Sequence, residues 1–127
     1  MNTGSGPLRV LIADDNKLVR RGIVGLLSGE QDLQICGEAS DSNETLQKAG
    51  ELKPDLILLD VSMPGLNGFD TARLLRQKVP AVKILIISQH DSQQLLPRSL
   101  EAGAHGCVDK AQIARDLLPT LRSLFKN

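Results

Sequence analysis

Five polar residues stand at the ends of apolar runs, and their types suit the chemistry of phosphate groups. Asp14 and Asp15 follow the first apolar run of the chain, Asp60 ends the third, Ser88 ends the fourth, and Lys110 follows the fifth. In a parallel sheet the carboxyl ends of the strands lie at one edge, where open α/β sheets bind ligands. The sequence therefore predicts that these side chains meet at one site.

The three carboxylates of this set need positive charge beside them. Two unit charges about 4 Å apart repel each other by roughly 4 kcal/mol at an effective dielectric constant of about 20. Lys110 supplies one positive charge, and a divalent cation with oxygen ligands, for which Mg²⁺ is the natural choice, would supply more. A neutralised carboxylate beside a lysine and a serine favours phosphoryl transfer to Asp60, which would form an aspartyl phosphate.

The elements that must position these residues alternate regularly along the chain. Two of the apolar runs, residues 56–59 and 84–87, contain no polar residue, which is typical of strands that are covered on both faces of a parallel sheet. Strands are predicted at residues 8–13, 33–39, 55–59, 83–87 and 105–108.

Apolar residues at helical spacing lie between and after these strands. The second helix is entered through Asp41 with Glu44 three residues later, as in a capping box. The five stripes are Val19, Ile23, Leu26 and Leu27; Leu46, Ala49 and Leu52; Phe69, Ala72 and Leu75; a weaker one at Leu95, Ser99 and Leu100; and Ile113, Leu117, Leu121 and Leu124. Five βα units in a row predict an α/β fold with a parallel sheet and right-handed crossovers.

Two prolines interrupt the predicted helices. Pro97 lies within the fourth stripe, so we expect the fourth helix to be short, kinked or delayed until about Pro97, where proline suits the first turn. Pro119 lies within the fifth stripe, whose apolar residues continue on both sides of it. A kink rather than a break is expected there.

Composition limits the class of protein. The 127 residues are 41% hydrophobic and carry 15 basic and 15 acidic side chains, so the formal net charge is zero. A neutral chain without a basic run is not expected to bind nucleic acid directly or to be drawn to an anionic membrane. No apolar run is long enough to span a bilayer and no secretory leader opens the sequence, which favours a cytoplasmic protein. Residues 1–7 are predicted to be a flexible tail, and residues 8–127 a single domain.

The motifs taken together resemble the receiver domain of two-component response regulators. The resemblance rests on the acidic pair after the first strand, Asp60 in LLDVSMPGLNG, Ser88 after ILII and Lys110 in GAHGCVDK, and it covers nearly the whole chain. It implies a flavodoxin-like, doubly wound, five-stranded parallel sheet with strand order 2-1-3-4-5 and five helices.

The resemblance also implies the role of each site residue. Asp60 would be the phosphoacceptor, and Mg²⁺ would be held by Asp15, Asp60 and the backbone carbonyl of Ser62, with Asp14 acting through bound water. Lys110 would pair with one phosphoryl oxygen, and Ser88 would hydrogen-bond another.

The implied function is a phosphorylation-dependent switch in a two-component phosphorelay. A histidine kinase or a phosphotransfer protein would donate the phosphoryl group, and the face made by the fourth helix, fifth strand and fifth helix would change in response. That face could also support a homodimer. The domain would catalyse only its own phosphorylation and dephosphorylation, so it is not expected to be an enzyme with a separate substrate. Similar receivers often precede a helix-turn-helix DNA-binding domain, and the sequence does not decide between a stand-alone receiver and a fragment.

Two positions depart from the family pattern. Cys107 stands where receivers usually carry Tyr or Phe, which predicts weaker or rerouted coupling between phosphorylation and the output face. Gln89 stands where a small residue is usual, which predicts restricted access to Asp60 and slow phosphorylation by small donors. Cys36 and Cys107 are expected on opposite edges of the sheet, unpaired, as small buried hydrophobic residues.

The site residues also have ordinary structural explanations. Asp14 and Asp15 could cap the first helix, and Asp60 could be a turn residue. Ser88 alone could be a strand-end hydroxyl group, and Lys110 alone a surface lysine. The combination of all five favours the functional interpretation.

The sequence does not favour a catalytic or metal site built on histidine. Ser88, His90 and Asp91 are too close in sequence for a catalytic triad, and no nucleophile-elbow motif is present. His90 and His105 are expected to be structural or exposed rather than metal ligands.

The sequence leaves three other functions open. A metal-dependent phosphohydrolase that forms an aspartyl phosphate would usually have a second aspartate where this chain has Ser62. A flavin-binding module would need a phosphate-binding loop after the first strand, where Asp14 and Asp15 would repel the phosphate. A degenerate receiver that acts only as a docking module would not need the intact acidic residues.

Overall fold

The computed structural model describes residues 6–89 and 92–126. Of the predicted N-terminal tail it describes only Gly6 and Pro7, which are exposed. His90 and Asp91, which entered the triad hypothesis, lie outside the described residues.

Five parallel strands form one sheet in the predicted order β2-β1-β3-β4-β5. Each predicted strand is confirmed with ends that agree to within one residue. The strands are β1 (Leu8–Ala13), β2 (Leu33–Ala39), β3 (Leu56–Asp60), β4 (Lys83–Ser88) and β5 (Gly106–Asp109).

Five helices connect and follow these strands, as the doubly wound fold requires. They are α1 (Lys17–Leu27), α2 (Ser42–Leu52), α3 (Gly68–Lys78), α4 (Ser92–Glu101) and α5 (Ile113–Leu124), and a short 3-10 turn over Lys110–Gln112 precedes α5. In the described part of the chain, no helix is both long and apolar enough to cross a membrane.

The core consists of two apolar layers, one on each face of the sheet. Successive strand residues point to opposite faces, so Leu11 packs in the layer that includes Ala49 of α2 and Ala72 of α3. Ile12 packs in the layer that includes Ile23 of α1, and α5 covers the same face. Because both faces are covered, the central strand β3 is buried along its whole length. This explains why its sequence is apolar until the last residue.

The first two helices begin at side-chain caps. Asn16 Oδ1 accepts hydrogen bonds from the first-turn amides of α1, so the alternative that Asp14 or Asp15 caps this helix is wrong. Asp41 caps α2 by accepting from Glu44 N at 2.7 Å, as the capping-box pattern predicts. The Glu44 carboxylate reaches back to Ser40 N at 2.7 Å.

Neither proline breaks its helix. α4 is short, with ten residues, but it begins at Ser92, five residues before Pro97, so the delayed start is wrong. Pro97 is exposed, whereas Ser99 on the same helix is fully buried and donates from its hydroxyl to Leu95 O at 2.8 Å. Packing of this buried face thus sustains the helix across the proline. α5 continues unbroken through Pro119.

The two cysteines lie on opposite edge strands, β2 and β5, and both are free thiols. They are half-buried rather than buried, which corrects the expectation of fully buried residues. Cys36 is the extra residue of a bulge in β2, since Val10 pairs with Ile35 and Leu11 pairs with Gly37. Burial raises the pKa of both thiols.

Candidate metal and phosphoryl site

The acidic residues named by the sequence analysis converge at the carboxyl edge of the sheet. β1 and β3 are neighbours, and Ala13 pairs with Leu59. The residues that follow this pair, Asp14 and Asp60, therefore come side by side. One carboxylate oxygen from each of Asp14, Asp15 and Asp60 lies within 4.8 Å of the other two.

Burial divides these three carboxylates. Asp14 and Asp60 are 0% and 1% exposed, whereas Asp15 faces solvent. Asp14 Oδ1 accepts from Asn16 N at 2.8 Å, and Asp60 Oδ1 accepts from Ser62 N at 3.1 Å. One oxygen of each buried carboxylate is thus held by a backbone amide of the following loop.

The second oxygens of the buried pair face Lys110. Its Nζ lies 2.9 Å from Asp14 Oδ2 and 3.4 Å from Asp60 Oδ2. These are ion-pair distances, but neither Oδ2 accepts a hydrogen bond of normal geometry from any described residue. A buried carboxylate oxygen without a hydrogen bond is costly. The arrangement therefore leaves two buried oxygens able to accept from, or coordinate, a further group.

The electrostatics of the site follow from this crowding. Burial raises the pKa of Asp60, the hydrogen bond from Ser62 N lowers it, and the neighbouring Asp14 charge raises it further. The net pKa is above the ordinary value for aspartate. For Lys110, burial lowers the pKa, but the close ion pairs with Asp14 and Asp60 outweigh burial and raise it. Lys110 thus stays charged and offsets only one of the carboxylates.

This donor set fits a hard divalent cation. Three carboxylates and one ammonium group leave a surplus of negative charge when all are ionised. Oxygen donors, two of which are buried without hydrogen bonds, are the ligands that such cations prefer. The acidic cluster of Asp14, Asp15 and Asp60 could therefore bind a metal ion.

The two serines of the predicted site flank Asp60. Ser88 is fully buried at the end of β4, next to β3 in the sheet, where Asp60 pairs with Ile87. It pairs in register with Asp109, the residue before Lys110. Ser62 lies exposed in the loop after β3. The fold thus brings both residues to the edge that carries the acidic cluster.

The remaining residues singled out by sequence have different surroundings. Gln89 is exposed, directly after Ser88. His105 precedes β5, and its Nδ1 accepts from Ile84 N at 3.1 Å, while its own backbone amide donates to Ile84 O at 2.7 Å. Burial and the nearby Lys83 charge lower the pKa of His105. This confirms that His105 is a structural residue.

Sequence reasoning missed one residue of the site, Arg20. Its guanidinium group donates to the backbone carbonyl of Asp14 at 2.6 Å and pairs with Glu38 at 2.9 Å. It thereby fixes the loop that carries the acidic pair. No motif in the sequence identifies it, because an arginine on an amphipathic helix is ordinarily a solvent-facing residue.

Sequence comparisons agree with this geometry. A family model described as the response regulator receiver domain matches residues 10–122. Response regulator GacA of Pseudomonas viridiflava is 37% identical over 118 residues, which is 93% of this chain and 55% of GacA. Response regulator protein VraR of Staphylococcus aureus is 33% identical over 115 residues, 91% of this chain and 55% of VraR. The chain thus spans about half the length of the curated relatives it matches.

Solved structures show the same architecture. A two-component response regulator of the LuxR family from Aurantimonas superposes with a TM-score of 0.87 at 28% identity, covering 94% of this chain and 85% of that chain. The non-phosphorylated receiver domain of RcsB from Escherichia coli gives a TM-score of 0.86 at 25% identity, covering 94% and 93% of the two chains.

Proposed function

The chain belongs to the response regulator receiver domain family, and we propose that it is a phosphorylation-dependent switch that accepts a phosphoryl group on Asp60. Residues 8–127 would form the receiver. One observation carries the proposal: two buried carboxylates and an exposed one meet around a single ammonium group at the carboxyl edge of the sheet. Such an arrangement suits a reaction in which negative charge is transferred and must be neutralised.

Asp60 is the nucleophile in this proposal. Its Oδ1 is held by Ser62 N, while its Oδ2 accepts no hydrogen bond from the residues described here. In the reaction, a new bond forms between a carboxylate oxygen and phosphorus, and the bond from phosphorus to the donor nitrogen breaks. The donor would be a histidine kinase or a phosphotransfer protein.

Mg²⁺ would be held by Asp15, Asp60 and the Ser62 backbone carbonyl, with Asp14 acting through water. When bound, the cation would neutralise charge on the phosphoryl oxygens. Asp14 is suited to an indirect role because its Oδ2 lies closer to Lys110 Nζ, at 2.9 Å, than Asp60 Oδ2 does, at 3.4 Å.

Lys110 and Ser88 would respond to the phosphoryl group. A phosphorylated side chain carries about 1.5 to 2 negative charges, and Lys110 already lies 3.4 Å from Asp60 Oδ2. Its ammonium group would turn from the carboxylate pair to a phosphoryl oxygen. Ser88 would donate its hydroxyl proton to another phosphoryl oxygen.

The signal would leave the site through the α4-β5-α5 face, which could also form a homodimer. Ser88 ends β4, which pairs with β5, so a shift of Ser88 would reach that face directly. Cys107 on β5 is too small to fill the space of the usual aromatic ring, and weaker or rerouted coupling to the face remains our prediction. The output, such as a DNA-binding domain, would lie in another part of the protein or in a partner.

Intact mass measurement tests the proposal. The protein is incubated with phosphoramidate and Mg²⁺, with and without EDTA. We expect one added phosphoryl group in the wild type, none in Asp60→Asn, and less in EDTA. Asp109→Asn is the matched control, since Asp109 ends β5 but lies outside the acidic cluster.

Modification that persists in Asp60→Asn would refute the assignment of the phosphoacceptor. No modification of the wild type by phosphoramidate or by a histidine kinase would favour a docking module. Repeated turnover of a phosphomonoester would favour a phosphohydrolase.

A further inference from the structure

Two buried hydroxyl groups face the loop that joins β3 to α3. Ser42 is the first residue of α2 and is 1% exposed, and Thr71 lies in α3 and is 0% exposed. Neither residue belongs to the acidic cluster or to the motifs that indicated the site. They nevertheless lie beside the loop that follows Asp60, which is part of the proposed site.

Ser42 binds this loop at two points. Its backbone amide donates to Pro64 O at 3.3 Å, and its hydroxyl group donates to Leu66 O at 2.8 Å. Thr71 Oγ1 lies 3.1 Å from Ser42 Oγ and 3.0 Å from Asn67 O, so its proton is shared between these two acceptors. When Thr71 donates to Ser42 Oγ, the Ser42 proton is left for the loop carbonyls, of which Leu66 O at 2.8 Å is nearer than Pro64 O at 3.3 Å.

The fit between the loop and Ser42 is close. Gly65, between the two anchored carbonyls, has a φ of +99°, and a Cβ atom at that position would lie 3.2 Å from Ser42 Cβ. A positive φ favours glycine because other residues are strained there. The loop thus adopts the conformation that presents both Pro64 O and Leu66 O to the amino end of α2.

The anchored loop carries the proposed cation ligand. Ser62 lies two residues before Pro64, and its amide donates to Asp60 Oδ1. At the far end, Gly68 N donates to Val61 O at 3.2 Å. The Ser62 carbonyl therefore belongs to a short segment that is fixed on one side by Asp60 and on the other by Ser42.

We propose that Ser42, oriented by Thr71, is a positioning residue for the cation site: its hydroxyl group holds the β3–α3 loop so that the Ser62 carbonyl is preorganised for Mg²⁺. This inference rests on the proposed function. Groups that orient metal ligands change affinity without touching the ion, because a ligand that is not held must be ordered when the ion binds.

The test measures binding of Mg²⁺ alone by calorimetry, with ¹H–¹⁵N spectra to follow the Ser62 amide. In Ser42→Ala the dissociation constant should rise about tenfold, the lower end of the usual effect of such groups. Thr71→Val, which keeps the shape and removes the hydroxyl group, should weaken binding less. Thr71→Ser restores the hydroxyl group and should match the wild type.

Thr45→Ala is the matched control for general destabilisation. Thr45 lies on the same helix, is 0% exposed, and donates from its hydroxyl to Asp41 O at 2.7 Å rather than to the loop. Its affinity for Mg²⁺ should stay at the wild-type value. All variants are compared at a temperature where thermal unfolding shows each to be folded, and the Thr71 pair decides the question if Ser42→Ala does not fold.

Three results would overturn the inference. Wild-type affinity in both Ser42→Ala and Thr71→Val would show that the loop needs no anchor. An equal loss in Thr45→Ala would show that the effect is general destabilisation. In these two cases the proposed function stands if the wild type binds Mg²⁺ and is phosphorylated on Asp60. The third result is a wild type that neither binds Mg²⁺ nor is phosphorylated, which would overturn the inference and the proposed function together.

Discussion

Replacing Asp60 by asparagine should stabilise the protein in the absence of metal. The amide has nearly the same shape as the carboxylate and can still accept from Ser62 N, but it carries no charge. It would therefore remove the repulsion within the acidic cluster while leaving Lys110 paired with Asp14, whose Oδ2 lies 2.9 Å from Nζ.

The magnitude follows from the geometry. Carboxylate oxygens of Asp14 and Asp15 lie within 4.8 Å of an oxygen of Asp60, which corresponds to roughly 3.5 kcal/mol of repulsion for each pair at an effective dielectric constant of about 20. The attraction between Lys110 and Asp60 at 3.4 Å is roughly 5 kcal/mol at the same dielectric constant, and the hydrogen bond from the Ser62 amide adds about 1 kcal/mol.

Repulsion and attraction thus nearly cancel, more so because solvent screens the exposed Asp15. The cost of burying the Asp60 charge then decides whether the substitution stabilises or destabilises the fold. We expect Asp60→Asn to raise the free energy of unfolding by about 1–2 kcal/mol, and the melting temperature by about 4–8 °C.

The assay is thermal and urea unfolding in EDTA at pH 7, followed by far-ultraviolet circular dichroism because the chain has no Trp or Tyr. Asp70→Asn is the control, since the Asp70 carboxylate is half-exposed and paired with Arg73 at 2.8 Å, so its loss should be neutral or slightly destabilising. Lys110→Met should lower the free energy of unfolding by about 3–5 kcal/mol, because it leaves two buried carboxylates without a counter-charge.

An Asp60→Asn variant that is less stable than the wild type in EDTA would refute this reasoning. It would mean that the Lys110 ion pair outweighs the repulsion and the burial cost together. Adding Mg²⁺ should narrow the difference between the two proteins, because an ion that binds only the folded wild type stabilises it by mass action.

Three further predictions concern other parts of the molecule. His105 has a lowered pKa in the folded state, so below about pH 6.5 the unfolded chain binds more protons than the folded protein. The free energy of unfolding should therefore fall as the pH falls. Urea titrations at several pH values should show a flatter dependence for His105→Gln. Gly68→Ala should lower the free energy of unfolding by about 2–3 kcal/mol, because the new Cβ would lie 2.3 Å from Val61 Cα. Gly25→Ala, whose Cβ would meet nothing within 4 Å, should raise it by about 0.5–1 kcal/mol in the same unfolding assay. Gln89→Ala should speed phosphorylation by phosphoramidate if the exposed side chain restricts access to the site, and an unchanged rate in the mass assay would contradict this.

Much of the fold could be predicted because its determinants are local. Runs such as residues 56–59 and 84–87 are apolar without alternation, which is the pattern of strands covered on both faces. The polar residue that ends each run marks the carboxyl edge of the sheet, so the meeting of Asp14, Asp15 and Asp60 followed from the parallel direction of the strands.

Local rules failed where packing opposed them. The proline rule predicted that α4 would be short, kinked or delayed; the helix is short, with ten residues, but it begins at Ser92 and passes through Pro97. An exposed proline costs a hydrogen bond and some strain, whereas the buried Ser99 and the half-buried Leu95 hold the helix against the sheet. The acidic pair also suggested a helix cap, and the neighbouring Asn16 takes that role instead.

The sequence by itself determined which chemical groups this protein brings to one edge of a sheet, because strand ends and residue types are properties of short segments. Only the tertiary structure decided which residues contact one another at this edge. Lys110 lies nearer to Asp14 than to Asp60, Arg20 donates to the Asp14 carbonyl, and Ser42 donates to the loop after Asp60. The Lys110 and Ser42 contacts join segments that are distant in the chain, and the Arg20 contact joins α1 to the end of β1. Their geometry depends on how helices pack on the sheet to within a fraction of an ångström, which no local pattern encodes.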